Sequence, residues 1–212
     1  MGAKTWMVMY ADGVVADTLS STPKLDRDAT TALARKLFPR DTLTPLPDDS
    51  LLNTCPPDDQ LAIACFPGVS IVAAREFGID LPSTLPTSLI QPGIARTTCL
   101  HAMHSVVDWF AYAIWKDGVL HRSLSLSPDS GVLEDIGSRL RFEEPYWAGE
   151  HPAVEPDEQE SYPFPFHPLE LGEAALLDLF GYQLEGTTSH FRPEDIPLMR
   201  FERSRSWWKK WF

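Results

Sequence analysis

The chain holds only three cysteines, and none sits in a CxxC pair. Cys55, Cys65 and Cys99 leave one thiol over in any pairing scheme, which argues against a disulfide-stapled secreted scaffold and for a reducing compartment. No run of eighteen apolar residues occurs, so no segment reads as a membrane-spanning helix. The opening Met1-Gly2-Ala3-Lys4-Thr5-Trp6 lacks the apolar stretch and cleavage site of an export signal, and Trp6 stands where a myristoylation signal wants Ser or Thr. A cytoplasmic protein is expected. Internal repeats are missing, as is the GxSxG elbow of a serine hydrolase, and no cofactor is implied.

Basic residues are the scarce charge, with 18 Lys and Arg against 30 Asp and Glu for a net charge of −12. They are also unevenly placed. Residues 200–212 carry a local charge of +4, which leaves −16 for residues 1–199. An acidic body of that kind repels phosphate, which argues against nucleic acid as a partner. The end of the chain, Trp207-Trp208-Lys209-Lys210-Trp211-Phe212, is too short to bury its own aromatics. It needs a surface to lie on: the protein's own body, a second copy, another protein, or an anionic membrane, where Trp prefers the interface and each Lys or Arg contributes about 1 kcal/mol. The segment 143–160, with seven acidic residues and no Lys or Arg, offers complementary charge within the chain.

Proline, by contrast, is abundant. Nineteen in 212 residues predict stiff connections and few long helices. Thr5 to Tyr10 is an almost unbroken apolar run closed by Ala11-Asp12-Gly13 and reads as a central strand. Asp26 precedes Arg27 to Phe38, where Ala29, Leu33 and Leu37 recur at helical spacing before Pro39, so a helix is expected there. Residues 40–60 read as a Pro- and Asp-rich loop. Leu61 to Phe66 and Val69 to Ala74 are β-prone runs around Pro67-Gly68, a pair that favours a type II turn over a tight hairpin. Thr97 to His104 reads as a strand. Asp108 to Lys116 and Val119 to Ser127 flank Asp117-Gly118, the chemistry of a two-residue type I′ hairpin. An unbroken register from that turn sets Trp115 against Leu120, Ile114 against His121, Ala113 against Arg122, and Tyr112 against Ser123. Residues 143–160 read as an extended loop. Pro168 to Phe180 has Pro at a helix start and Gly181 as its stop.

The densest chemistry lies at His101-Ala102-Met103-His104-Ser105-Val106-Val107-Asp108. His101, His104 and Asp108, with Ser127 brought alongside by the hairpin, are the candidates for acid–base or metal-assisted hydrolysis. A strand points positions 101 and 104 to opposite faces, whereas one helical turn would let them converge. The competing reading makes His101 a hydrogen-bonded core histidine between Cys99 and Met103. Ser123, Ser125 and Ser127, with Tyr112 and Asp108 opposite, form a candidate hydroxyl-lined floor for a small polar ligand, and His121 is a further binding candidate on that face of the expected register. Tyr146 and Trp147 beside Glu143 and Glu144 form a candidate docking surface. Trp207, Trp208, Lys209, Lys210 and Trp211 are the candidate contacts of the tail.

The stretches MGAKTWM, LHAMHSVVDWFAYAIW, SLSLSPDSG, FEEPYWAGEHP and PFHPLEL resemble an actinobacterial family catalogued only as a domain of unknown function. The resemblance spans residues 1–200 and implies a bacterial cytosolic protein; it brings no catalytic residue or cofactor with it. The expectation is therefore a single α+β domain over 1–199 with a basic aromatic tail over 200–212. Its sheet is mainly antiparallel with the 108–127 hairpin at its centre, and its principal helices lie near 27–38 and 168–180. The expected function is a non-enzymatic binding or regulatory module acting through protein–protein contacts or self-association. The alternatives are a hydrolase at His101, His104 and Asp108, and a small-ligand sensor.

Overall fold

A computed structural model describes residues 2–90, 93–154 and 162–205. The described residues form one antiparallel sheet of nine strands in the order β2-β9-β3-β4-β1-β5-β6-β7-β8. The strands are β1 (Lys4–Ala11), β2 (Asp41–Ser50), β3 (Gln60–Phe66), β4 (Val69–Ala73), β5 (Thr97–His104), β6 (Trp109–Lys116), β7 (Val119–Ser127), β8 (Gly131–Ile136) and β9 (Pro197–Arg205). Helices are few: α1 (Val15–Ser20), α2 (Arg27–Leu37), α3 (Thr87–Ile90), α4 (Glu144–Trp147) and α5 (Pro168–Phe180). None is long and apolar enough to cross a membrane.

Alternation along the strands divides the interior into two cores. Met7, Met9, Met103, Phe110, Tyr112, Leu124 and Leu126 face α1 and α5. Val8, Tyr10, Leu100, Ala102, Trp109, Ala111, Ala113 and Trp115 face α2 and α3. Strands covered on both sides read as continuous apolar runs, which is why Thr5 to Tyr10 shows no alternation. The middle position belongs to β1, and the 108–127 hairpin lies instead toward the β8 edge.

The two principal helices lie where their signals stand. Asp26 caps α2 through Ala29 N–H at 2.9 Å. Gly181 ends α5 in the left-handed region at φ +84°, its N–H bonded to the carbonyls of Leu176 and Leu177, as a glycine past a helix end does. Within α5, Gly172 permits close approach: a Cβ there would meet the Met103 sulfur at 2.8 Å and Phe110 Cδ2 at 3.1 Å.

Several expectations need correction. The supposed loop 40–60 contains β2, which among the described residues pairs only with β9. An edge strand has one side without ladder bonds, so it tolerates Pro45 and Pro47. β3 and β4 pair directly, Phe66 against Val69, because Gly68 takes φ +76°. The β6–β7 hairpin turns at Asp117 and Gly118 with φ of 50° and 79°, and Trp115 meets Leu120 as expected. The register then slips between Ile114 and Trp115, so that Ile114 meets Arg122, Ala113 meets Ser123 and Tyr112 meets Leu124. A bulge at the exposed His121 inserts one residue and turns every following β7 side chain to the other face.

Segment 143–160 does not begin as an extended loop. It opens with the fully buried Glu143 and the short helix α4. β9 runs through the boundary drawn at residue 199, inserted between β2 and β3. The candidate tail contacts Trp207, Trp208, Lys209, Lys210 and Trp211 lie outside the described residues.

Candidate functional site

The four catalytic candidates are divided by the sheet. His101 is fully buried on the α5 side. Its Nδ1 accepts from the Thr5 hydroxyl at 2.6 Å and its Nε2–H donates to the Gly172 carbonyl at 3.0 Å, between the rings of Phe110 and Phe180. Burial drives its pKa down to about 4, so it is a neutral tie joining β1, β5 and α5. Asp108 occupies a left-handed turn position, φ 46°, and faces His167 Nε2 at 3.6 Å.

His104 and Ser127 point the other way and line one cleft of about 360 Å³. Its walls include Trp6, Trp109, Arg75, Gly78, Asp80 and Asp129. His104 stacks on Trp6 with centroids 6.2 Å apart, and the Arg75 guanidinium lies over the Trp6 ring at 4.5 Å while donating to the Gly78 carbonyl. Burial and the positive charges of Lys4 and Arg75 hold the His104 imidazole below its usual range. Its Nδ1 is buried without a hydrogen-bond partner among the described residues. Ser127 Oγ accepts the Ser130 N–H at 3.2 Å and makes no bond to His104, so the two form no nucleophile–base pair in this arrangement.

A second cleft of about 600 Å³ adjoins the first, sharing Arg75 and Gly78 and adding Asp58, Asp59, Glu76 and Arg203. Arg203 is buried and held by Asp41 at 2.8 Å and Glu76 at 2.5 Å. Its charge is thus taken up internally. Asp58, Asp59, Asp80 and Asp129 remain exposed, and Arg75, the exposed cation among the lining residues, meets Asp58 at 3.6 Å. The two clefts lie side by side at the sheet end where β1 starts and β5 finishes, sharing Arg75 and Gly78, and together form an acidic groove whose first part is walled by Trp6 and Trp109.

The expected hydroxyl floor is a set of internal anchors. Ser123 Oγ donates to Glu134, which also holds Ser83 through its hydroxyl and N–H. Ser125 accepts from Trp109 Nε1 at 3.2 Å. Tyr112 lies on the opposite side, its hydroxyl donating to Glu143 at 2.5 Å, and His121 is exposed at the bulge. Tyr146 stacks on His151 and bonds the Glu170 carbonyl. Trp147 packs against Phe166 with Arg139 over its face at 4.2 Å. These two rings hold the 143–151 segment onto the α5-side core.

Sequence reasoning set Glu143 on a docking surface and missed its buried pairing with Arg122, although an Arg inside a strand rich in Ser and Leu signals a buried partner. It also missed Trp6, Arg75 and Asp80, which reach the groove from separate stretches with no shared local pattern. A further depression of about 550 Å³ opens at the start of α2 beside Lys24, Asp26, Arg27 and Cys65. Asp26 there already caps the helix and Arg27 pairs with Asp48. Among the described residues no group of three or more His, Cys, Asp or Glu is placed to hold a metal ion.

A family of unknown function, DUF6928, matches residues 5–201. The chain belongs to that family. The match runs from the first residues of β1 into β9 and so takes in every described strand and helix. No curated protein and no solved structure matches the chain.

Proposed function

We propose that the chain is a non-enzymatic binding module that recognises a basic, aromatic peptide segment of a protein partner in the groove between Trp109 and Asp58. The observation that carries this reading is the adjacency of the two clefts, which share Arg75 and Gly78 and together present four exposed aspartates. An elongated acidic trough suits an extended cationic chain better than a compact small molecule. Indole and imidazole walls supply apolar contact area, and exposed carboxylates favour cationic partners and speed their encounter.

The separation of His101 from His104 and Ser127 supports binding over hydrolysis, because reacting groups must converge on one atom. The burial of Ser123 and Ser125, bonded to Glu134 and Trp109, weighs against the hydroxyl-floor ligand sensor.

The test is a titration of the full chain with Lys- and Trp-containing peptides and with matched acidic peptides, followed by NMR at the indoles of Trp6 and Trp109 and the imidazole of His104. Saturable shifts at these residues with the basic set alone are expected. Equal response to both sets, or shifts confined to other surfaces, rejects the groove as the recognition site.

A further inference from the structure

β9 carries the chain to the same rim of the sheet at which the groove opens. The registers pair Arg205 with Asp41, Glu202 with Gln60, Ala73 with both Ala62 and Met7, Lys4 with His104, and His104 with Trp109. The last residues of β9 therefore lie beside the starts of β1, β3 and β6 and the ends of β4 and β5. Along the strand order β9 stands three strands from β1 and four from β5, about 14 and 19 Å at 4.8 Å per strand. The seven residues from Ser206 to Phe212 span up to about 23 Å when extended, enough to run from Arg205 past Arg203 to Trp6 and His104. Phe201 faces the same core as Trp109, and Arg203 itself lines the second cleft, so the chain arrives on the side where the groove opens.

Composition agrees with reach. The segment reads Ser-Trp-Trp-Lys-Lys-Trp-Phe, three indoles and two ammonium groups, and the groove offers Asp58, Asp59, Asp80 and Asp129 with aromatic walls. The acidic stretch from residue 143, the partner suggested by charge alone, packs in its described part on the opposite side of the sheet.

We propose that residues 206–212 occupy this groove as an internal ligand, Lys209 and Lys210 against the aspartates and indoles against the Trp6–His104 end. This rests on the groove being the recognition surface, and it adds regulation: an outside segment binds only by displacing the tail. A tethered segment acts at an effective concentration of about 1 mM. If the free peptide binds with a Kd of about 0.1 mM, the tail masks the groove about ten-fold.

The experiment uses the full chain labelled with 5-fluorotryptophan and read by ¹⁹F NMR. Two variants, Lys209→Glu with Lys210→Glu and Asp58→Asn with Asp59→Asn, leave every core residue in place. The first is expected to move the Trp6 resonance and the second the resonances of Trp207, Trp208 and Trp211. The synthetic peptide SWWKKWF is expected to bind a full-length Trp207→Ala, Trp208→Ala, Trp211→Ala chain about ten-fold more tightly than the parent. An unmoved Trp6 signal, or equal peptide affinity for both chains, overturns the proposal. So does a tail signal that changes only with protein concentration, which assigns the segment to a second copy. A tail that responds only to phosphatidylglycerol vesicles assigns it to a membrane and overturns the proposal as well. If other basic peptides fill the groove while SWWKKWF does not, recognition by the groove stands and self-occupancy falls; if none does, both fall.

Discussion

Arg122 and Glu143 meet in a fully buried, two-pronged ion pair, Nε to Oε1 at 2.9 Å and Nη2 to Oε2 at 2.6 Å. The same carboxylate accepts the Tyr112 hydroxyl and the Leu140 N–H, so nearly all its lone pairs are filled. Removing Glu143 leaves the buried guanidinium with the exposed Asp135 alone, which its Nη1 meets at 2.5 Å, and breaking a buried pair from one side costs about 3–5 kcal/mol. Glu143→Gln is expected to lose stability on that scale in urea denaturation. A paired Arg122→Met, Glu143→Leu exchange should recover most of the loss. Equal loss in the single and the paired variant would refute the broken-pair account.

The His101 imidazole links stability to acidity. Its folded pKa, about 4, lies below the unfolded value of about 6.5, so the unfolded chain binds more protons between those limits. Its contribution is complete above pH 6.5 and is lost as pH falls toward 4, amounting to about 3 kcal/mol. A His101→Asn variant, less stable at neutral pH, should show a flatter pH dependence over that window. Parallel stability curves for parent and variant would contradict this assignment.

Gly172→Ala sets two effects against each other. Alanine improves helix propensity by about 1 kcal/mol, but its Cβ would press on Met103 and Phe110, and such overpacking costs about 1–3 kcal/mol. The steric cost prevails because both neighbours lie in a packed core and neither can retreat into solvent. Thermal unfolding should show a lowered midpoint; a raised one would mean that α5 shifts freely over the sheet.

His104 is expected to titrate below the ordinary imidazole range, with Lys4→Gln raising its pKa by removing a repelling charge. NMR titration of the ring protons measures both. An unchanged midpoint in the Lys4→Gln chain would exclude that charge as a cause.

Legibility followed the locality of each signal. Asp26, Pro168 and Gly181 announce the bounds of α2 and α5 through backbone chemistry close in sequence, and Asp117-Gly118 announces its turn for the same reason. His101 and His104 were separable once β5 was read as a strand, since alternation alone sends them to opposite sides. The bulge at His121 was not legible, because nothing local distinguishes an inserted residue from a paired one. β2 was hidden by Pro45 and Pro47, whose tolerance depends on its being an edge, a fact decided by distant β9. The groove escaped notice for a related reason. Trp6, Arg75, Asp80, His104 and Asp129 become neighbours only through strand order.

The insertion of β9 between β2 and β3 has a consequence for biosynthesis. Among the described residues β2 has no strand partner except β9, about 150 residues later in the chain, a distance the ribosome covers in about 8–30 s at ordinary elongation rates. Throughout that interval the nascent chain carries an orphan strand, open to other nascent chains on both sides. Asp41, Pro45, Pro47, Asp48 and Asp49 make it a poor template for such encounters. The composition that disguises β2 as a loop is the composition that guards it while translation is unfinished.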